Sequence, residues 1–417
     1  MKKTYIIVAA VVFIIAAFVG LSYFQSSTKK TNIGFAGAKD LCLNVNLQTE
    51  YKNMGYNVTC YGQDLGSSDL LKLPGDPTVG SEIDVIIASS IDANAKLKDA
   101  FGKTQYVGDY TTLFGSPMLP LIKAKDAHVL IEAGLAEKRG NYLFVTNETL
   151  AKIYAQQATG KATWGDLGVT DPEWKNARVL VSSANPFVSG TGWNGYNYDA
   201  ACLGTINIGE VPCSRAIDYN MLTPQLKEQM RGLYASYGSQ SEDGNTLNYM
   251  KQWMYGSNKV LMIMGNESFP MLFAASQNNP KLVEDMLPVY TTYGYMTSQY
   301  ANSVSKDGEK FIKDILANPK VAEIVNRELG SRMGYTYSTL APTAASWVPA
   351  SDPMTYIQLP SSDVKAPLLC YVGQAERVSA KLMWTTTFGK KTDASGNKAD
   401  DGRTFEESIT DFCSKNQ

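Results

Sequence analysis

"EIDVIIASSIDANAKLKDAFG", Glu82 to Gly102, decides the fold class. The apolar run Val85 to Ala88 reads as a buried strand that ends on Ser89 and Ser90, and "DANAKLKDAFG" follows directly as a helix. Similar alternation stands upstream. "TNIGFAG" reads as a strand, "DLCLNVNLQTEYKNMG" as a helix and "YNVTCYG" as a second strand. Strands alternating with helices imply a parallel, layered α/β sheet. Ligands of such sheets bind at the carboxyl ends of the strands, where Ser89 and Ser90 stand.

A second strand-to-helix turn has the same character. "ARVLVSSA" reads as a buried strand closed by Asn185-Pro186, and "WNGYNYDAACLG" as a helix weakened by Gly195 and two asparagines. Between them "SGTG" puts Ser189 at the N-cap position, with Gly190, Thr191 and Gly192 after it. Amides of a first helical turn lack partners within the helix and favour an anion or a polar ligand tip. Taken alone, the turn fits plain capping better than ligand binding. Two hydroxyl-bearing turns at strand ends shift that balance towards a ligand.

At 417 residues the chain exceeds one compact core, so two or more domains are expected. Its net charge of −2 offers no basic face for nucleic acid. Lys2 and Lys3 precede an apolar run from about Tyr5 to Phe24, long enough to span a bilayer at about 20 residues. The reading is an N-terminal transmembrane helix within residues 1–30, uncleaved, with the folded part outside the cytoplasm. Secretion after signal cleavage is the alternative. Six cysteines in an exported chain point to disulfides. They fall as three local couples, and nearest-neighbour pairing gives Cys42–Cys60, Cys202–Cys213 and Cys370–Cys413. With one histidine and no C-x-x-C pair, neither a metal site nor a cofactor is expected.

"GSPMLPLIKA" is an apolar strand broken by Pro117 and Pro120, which reads as an edge or a crossing segment. "NETLAKIYAQQATG" is a helix with Asn147 as its expected cap, and "TWGDL" is a turn. "KVLMIMGNESF" is another buried strand, and "VEDMLPVYTTYGY" a second candidate crossing. From "SVSKDGEKFIKDILANPKVAEIVNRELGSRMG" onwards the period is helical.

The ordered set "ASS", "SPMLPLI", "TWGDL", "SGTGW" and "LGSRMGY" resembles the type II periplasmic solute-binding proteins, in the branch of molybdate, sulfate, phosphate and iron binders. The resemblance covers roughly residues 31 to 340. It implies a two-lobe α/β fold joined by two crossing strands, at about Ser116 to Leu121 and Pro288 to Gly294. Residues 31–117 and 285–417 would form the first lobe and 118–284 the second. Ligand would meet Ser89 and Ser90 from one lobe and Ser189, Gly190, Thr191 and Gly192 from the other. Ser116 at the crossing, Gly37 and Ala38 after the first strand, and Lys39 complete the set. The implied activity is capture of a small polar solute, an oxyanion included, for uptake through an ABC permease.

Two other classes are weighed. A surface adaptor or sensor could use the same fold to contact another protein. An anchored hydrolase would need His128, the one histidine, yet "KAKDAHVLIEAG" is ordinary helix text and no G-x-S-x-G turn exists. The Ser-Lys spacings Ser303/Lys306 and Ser362/Lys365 lack companion motifs. Glu267 reads as a strand-end carboxylate that caps or contacts ligand, without a paired acid. The chain is read as a binding protein and not an enzyme.

Overall fold

The structure is a computed structural model that describes residues 30–63, 65, 67–88, 93–184, 190–215, 223–236, 246–257, 259–333 and 354–357. The chain opens on parallel strands: β1 (Thr31–Gly37) lies between β2 (Tyr56–Tyr61) and β3 (Val85–Ala88). The helix expected after β1 is divided into α1 (Lys39–Leu43) and α2 (Val45–Asn53). Asn44 divides it. Its side-chain oxygen accepts from the N–H groups of Asn46 and Leu47 at 3.0 Å, so it caps a new helix instead of continuing the old one. Cys42 of α1 is bonded to Cys60 of β2, as nearest-neighbour pairing predicts. α3 (Ser67–Leu70) and α4 (Ala93–Phe101) flank β3 in sequence.

A long strand, β4 (Thr111–Lys123), leads into α5 (Ala127–Glu132), the hairpin of β5 (Glu137–Arg139) and β6 (Tyr142–Phe144), and α6 (Asn147–Ala158). Asn147 is not the cap of α6. Thr146 takes that place, accepting from Thr149 N–H at 3.1 Å. "TWGDL" forms a short 3-10 turn, Trp164–Leu167, closed by a reciprocal capping box between Thr163 and Asp166. β7 (Val181–Ser182) precedes α7 (Gly190–Asn207), in which Cys202 bonds Cys213 just beyond the helix end. Cys370 and Cys413 lie outside the described residues. After α8 (Pro224–Ser236) and α9 (Thr246–Tyr255) come β8 (Met262–Asn266), α10 (Phe269–Ser276), β9 (Met286–Tyr290) and β10 (Tyr293–Ser303). α11 (Lys306–Ala317), α12 (Pro319–Leu329), β11 (Arg332–Met333) and β12 (Thr355–Ile357) follow. Among the described residues no helix is long and apolar enough to cross a membrane, and the expected N-terminal span lies outside them.

The two prolines of β4 do not make it an edge. On one side β4 pairs with β10 up to Met118 and with β9 from Leu121; on the other it pairs with β11 at Phe114 and Gly115 and with β8 from Met118. Pro117 falls in the break between β11 and β8, and Pro120 in the break between β10 and β9. Each proline therefore stands where one neighbouring ladder has stopped and the next has not begun, so its missing N–H disrupts neither. The edge alternative is overturned and the crossing remains.

Buried apolar side chains fall into two groups along this strand pair. Ile33, Phe35, Val85, Leu113, Ala301 and Phe311 belong to one, with a satellite around Ala36, Ile86 and Leu97. Met118, Tyr154, Trp164 and Met264 belong to the other, together with Leu119, Phe273, Tyr290 and Met296. Met354 and Tyr356 pack with this second group. Side chains thus change core between Leu113 and Met118 of β4 and between Met296 and Ala301 of β10.

Phe311 anchors the first group. α11 buries Phe311, Ile312 and Ile315 on one face, and the Phe311 ring lies edge-on to Tyr56 at 5.0 Å, Tyr51 at 5.3 Å and Phe35 at 6.3 Å. Phe311→Ala should destabilise the protein by about 3–5 kcal/mol. Urea denaturation checks this; a loss below about 1 kcal/mol would mean the aromatic cluster does not hold α11 to the sheet.

Candidate functional site

The registers of the sheet bring strand ends to the middle of the β4–β10 pair from opposite directions. β3 runs antiparallel to β10 and finishes at Ala88, opposite Tyr300. β8 runs antiparallel to β4, hence in the direction of β10, and finishes at Asn266, opposite Met118, which in turn faces Tyr295. The two ends stop at the same middle stretch, residues 295 to 300 of β10, from opposite directions and on opposite flanks of the β10–β4 pair, about 17 Å apart along its length at strand rise. β1 ends beside β3, with Gly37 opposite Ile87, and β7 lies parallel to β8, with Ser182 opposite Ile263. Two strands from each core group thus deliver their carboxyl ends to one gap. Its base is the middle of the β4–β10 pair.

Ser89, Ser90 and Ser189 lie outside the described residues. Ser89 and Ser90 follow β3 directly in the chain, and Ser189 immediately precedes α7. Gly190, Thr191 and Gly192 open α7, and since residues 183–189 alone connect β7 to it, α7 starts at the strand-end side of the sheet. α7 then packs down on β8: a Cβ on Gly195 would come within 2.7 Å of Met264 Cγ and 3.1 Å of Ser183 Oγ.

Gly37 and Ala38 do reach the gap, but their backbone is engaged. Gly37 has φ +83°, and a Cβ there would meet Ile87 O at 2.5 Å, so glycine is needed for packing between neighbouring strands. Ala38, also left-handed at φ 39°, uses its carbonyl to accept from Leu41 and Cys42 N–H. Lys39 beside it is exposed. Ser116 is buried, and its hydroxyl accepts from Ser268 N–H at 3.0 Å, tying β4 to the start of α10.

At the base of the gap stands a trio that sequence reading missed. The Thr297 hydroxyl is shared between two acceptors, Ser116 O at 2.8 Å and Asn266 Oδ1 at 3.1 Å. Asn266 and Thr297 are both half-buried. Asn266 shares a face of β8 with Met264, the face on which Gly195 of α7 rests, so the first turn of α7 begins near it. Asn147, expected as a cap, instead clamps the turn between β9 and β10. Its Oδ1 accepts from Tyr293 N–H at 2.8 Å, and its Nδ2 donates to Tyr293 O at 3.0 Å. Tyr198 of α7 adds a third link, donating to Tyr293 O at 2.8 Å.

Glu267 neither caps a helix nor stands alone. Its carboxylate receives Arg332 Nε at 2.8 Å, a second guanidinium N–H and the Tyr290 hydroxyl. Glu267, Tyr290 and Arg332 are 0%, 0% and 1% exposed. Burial alone would weaken the charge on Arg332, and the adjacent Glu267 more than offsets it, leaving the guanidinium pKa above its ordinary value. Burial, and then the same carboxylate, push the Tyr290 hydroxyl well up. The pair connects the end of β8 to β11, next to the left-handed Gly330, where an added Cβ would come within 3.1 Å of Ser268 Cα.

His128 is on the surface, its ring beside Lys125 O at 2.9 Å and Asp171 at 3.4 Å. The carbonyl of Lys125 raises its pKa, burial opposes this slightly, and Asp171 adds to the rise. Its polar neighbours among the described residues include no serine. No group of three or more His, Cys, Asp or Glu is placed to hold a metal among the described residues.

No known protein family matches the sequence, and no curated relative does. Solved structures with a likeness to the chain include a ferric binding protein of Bordetella, at 12% identity over 86% of this chain and 99% of that one, TM-score 0.45. The apo ferric ion-binding protein A of Pasteurella haemolytica is 10% identical over 87% and 100%, TM-score 0.47. The substrate binding protein of an ABC transporter from Agrobacterium tumefaciens is 10% identical over 76% and 83%, TM-score 0.44. Likenesses this loose leave the function to be argued from the chain's own geometry.

Breaking the Glu267–Arg332 pair one partner at a time should be costly. Arg332→Met and Glu267→Gln are each expected to destabilise by about 3–5 kcal/mol, because each leaves a buried group uncompensated. The double change Glu267→Leu with Arg332→Met should cost less than the two singles summed. Additive losses in urea denaturation would show that the two side chains do not act as a pair.

Proposed function

We propose that the chain captures a small polar solute in the gap between these strand ends. The observation that carries this reading is the register itself, which ends β1 and β3, and from the opposite direction β7 and β8, at the middle of the β4–β10 pair. The two core groups are then two lobes, 31–117 with the later part of the chain and a second centred on 118–284, joined by β4 and β10. Solute binding draws the lobes together by bending at these strands. Ser89 and Ser90 from the first lobe, and Ser189, Gly190, Thr191 and Gly192 from the second, contact the solute through hydroxyls and backbone. Hydrogen bonds to a charged acceptor contribute about 1.5–3 kcal/mol each, so several together reach micromolar affinity.

The folded part works outside the cytoplasm, held by an N-terminal helix, and passes its solute to an ABC permease. The bonded couples Cys42–Cys60 and Cys202–Cys213 support an oxidising compartment.

The test begins with native mass spectrometry of protein isolated from the cell envelope, to identify the solute that travels with it. Calorimetry on Ser189→Ala and Thr191→Val follows. Each change should weaken binding about ten- to a hundredfold while the solute-free protein melts almost as before. If the turn only caps a helix, Ser189→Ala will instead cost about 1 kcal/mol of stability and leave affinity intact, and the proposed gap is the wrong place.

A further inference from the structure

The sequence holds three Asn-x-Ser/Thr triplets, the pattern at which asparagine accepts a glycan in exported proteins: Asn57-Val58-Thr59, Asn147-Glu148-Thr149 and Asn266-Glu267-Ser268. An acceptor needs an accessible side-chain amide, an accessible hydroxyl two residues on, and open solvent beside them. One triplet of the three meets these needs. Asn147 is 4% exposed, and both ends of its amide are spent on Tyr293. Thr149 accepts from the Thr146 hydroxyl at 3.0 Å. Asn266 is half-buried with Oδ1 against Thr297, and Ser268 is 3% exposed. An oligosaccharide on either asparagine would have to displace packed chain.

Asn57 stands differently. Side chains of a strand alternate between its two faces. Tyr56, Val58 and Cys60 of β2 belong to the Phe311 core, whereas Asn57 and Thr59 share the opposite face and are both exposed. Among the described residues β2 pairs with β1 alone, so it forms the end of the sheet. Asn32, opposite Asn57 in the ladder, is exposed as well, and its Oδ1 accepts from Asn57 Nδ2 at 3.3 Å, a long bond that water can replace. Cover over this face begins two residues further along β1, at Gly34, where an added Cβ would come within 1.6 Å of Glu82 O.

We propose that Asn57 is an N-glycosylation site. This rests on the reading that the folded part lies outside the cytoplasm. The donor is an oligosaccharide carried on a polyprenyl phosphate or pyrophosphate, and a membrane glycosyltransferase that recognises the Thr59 hydroxyl brings donor and acceptor together. Asn57 Nδ2 forms a bond to the anomeric carbon, and the bond from that carbon to the phosphate oxygen breaks. The polyprenyl carrier leaves with the electron pair, and Nδ2 gives up one proton. A glycan at this position shields the outer edge of β2 from pairing with another chain.

The test uses the full chain isolated from the envelope of the cell that makes it, reduced, cut with trypsin and read by glycopeptide mass spectrometry. Cleavage after Lys52 and Lys72, after Arg139 and Lys152, and after Lys259 and Lys281 puts the three triplets on separate peptides. The Asn57 peptide should be heavier by the mass of an oligosaccharide, with the other two at their sequence masses. Thr59→Ser, made in the same cell, should keep the sugar and Thr59→Val should lose it, a split that a merely structural role for Thr59 would not produce. A Thr59→Val protein that keeps its sugar overturns the inference, as does a glycan on Asn147 or Asn266 of the unaltered chain. The state of the thiols is read on an unreduced portion. An Asn57 peptide at its sequence mass, from protein in which Cys42 and Cys60 are bonded, overturns the inference and leaves the external location standing. The same bare peptide with both cysteines as free thiols removes that location as well.

Discussion

One strand, β4, has to serve two cores at once, and the rest of the molecule is arranged around that constraint. Its first residues pack Leu113 with Phe35 and Phe311; its last pack Met118, Leu119 and Ile122 with the other group. A strand in two cores needs neighbours on both sides along its whole length, and no single neighbour runs far enough. β10 and β9 succeed each other on one side, β11 and β8 on the other. The breaks between successive neighbours are where Pro117 and Pro120 stand. Residues usually excluded from a central strand thereby mark its handover points. The same relay ends β3 and β8 on opposite flanks of the β10–β4 pair, where its side chains change core.

Where the two core groups meet beside β4, the contact is ionic. Glu267 and Arg332 are withdrawn from water together with the Tyr290 hydroxyl. An apolar pair of similar volume could be equally stable there, so the pair is poor support for stability as such. What a buried ion pair does impose is partner choice. The start of α10 can rest on β11 in the one arrangement that leaves neither charge unmatched. Arg332 pairs with Gly115, next to Ser116, and Ser268 beside Glu267 donates to the Ser116 hydroxyl, so the pair steadies the middle of β4.

Much of this was legible in the sequence because it is local. β1, β2 and β3 announce themselves as apolar runs, and α11 and α12 by the spacing of Phe311, Ile315, Val321 and Val325. The couples Cys42–Cys60 and Cys202–Cys213 are sequence neighbours, and chain proximity found them. Features missed depend on choices among similar side chains or on distant partners. Asn44 and Thr146 cap helices where neighbouring residues of equal propensity stood as rivals. Glu267 looked like an orphan since its cation lies 65 residues on, beyond three helices. Asn266 carried no signal beyond its place after an apolar strand, and Thr297 none at all. The hydroxyl turns at Ser89, Ser90 and Ser189 were chosen from the strand-to-helix pattern and lie outside the described residues.

Closure of two lobes around a solute is the claim on which the rest of the functional account depends. Small-angle X-ray scattering measures it most directly, on protein carrying its copurified solute and on the same protein after unfolding, dialysis and refolding without it. The account predicts a smaller radius of gyration with solute present, because β4 and β10 bend and the strand ends approach. Superimposable curves, with calorimetry showing the first sample saturated and the second empty, would contradict it.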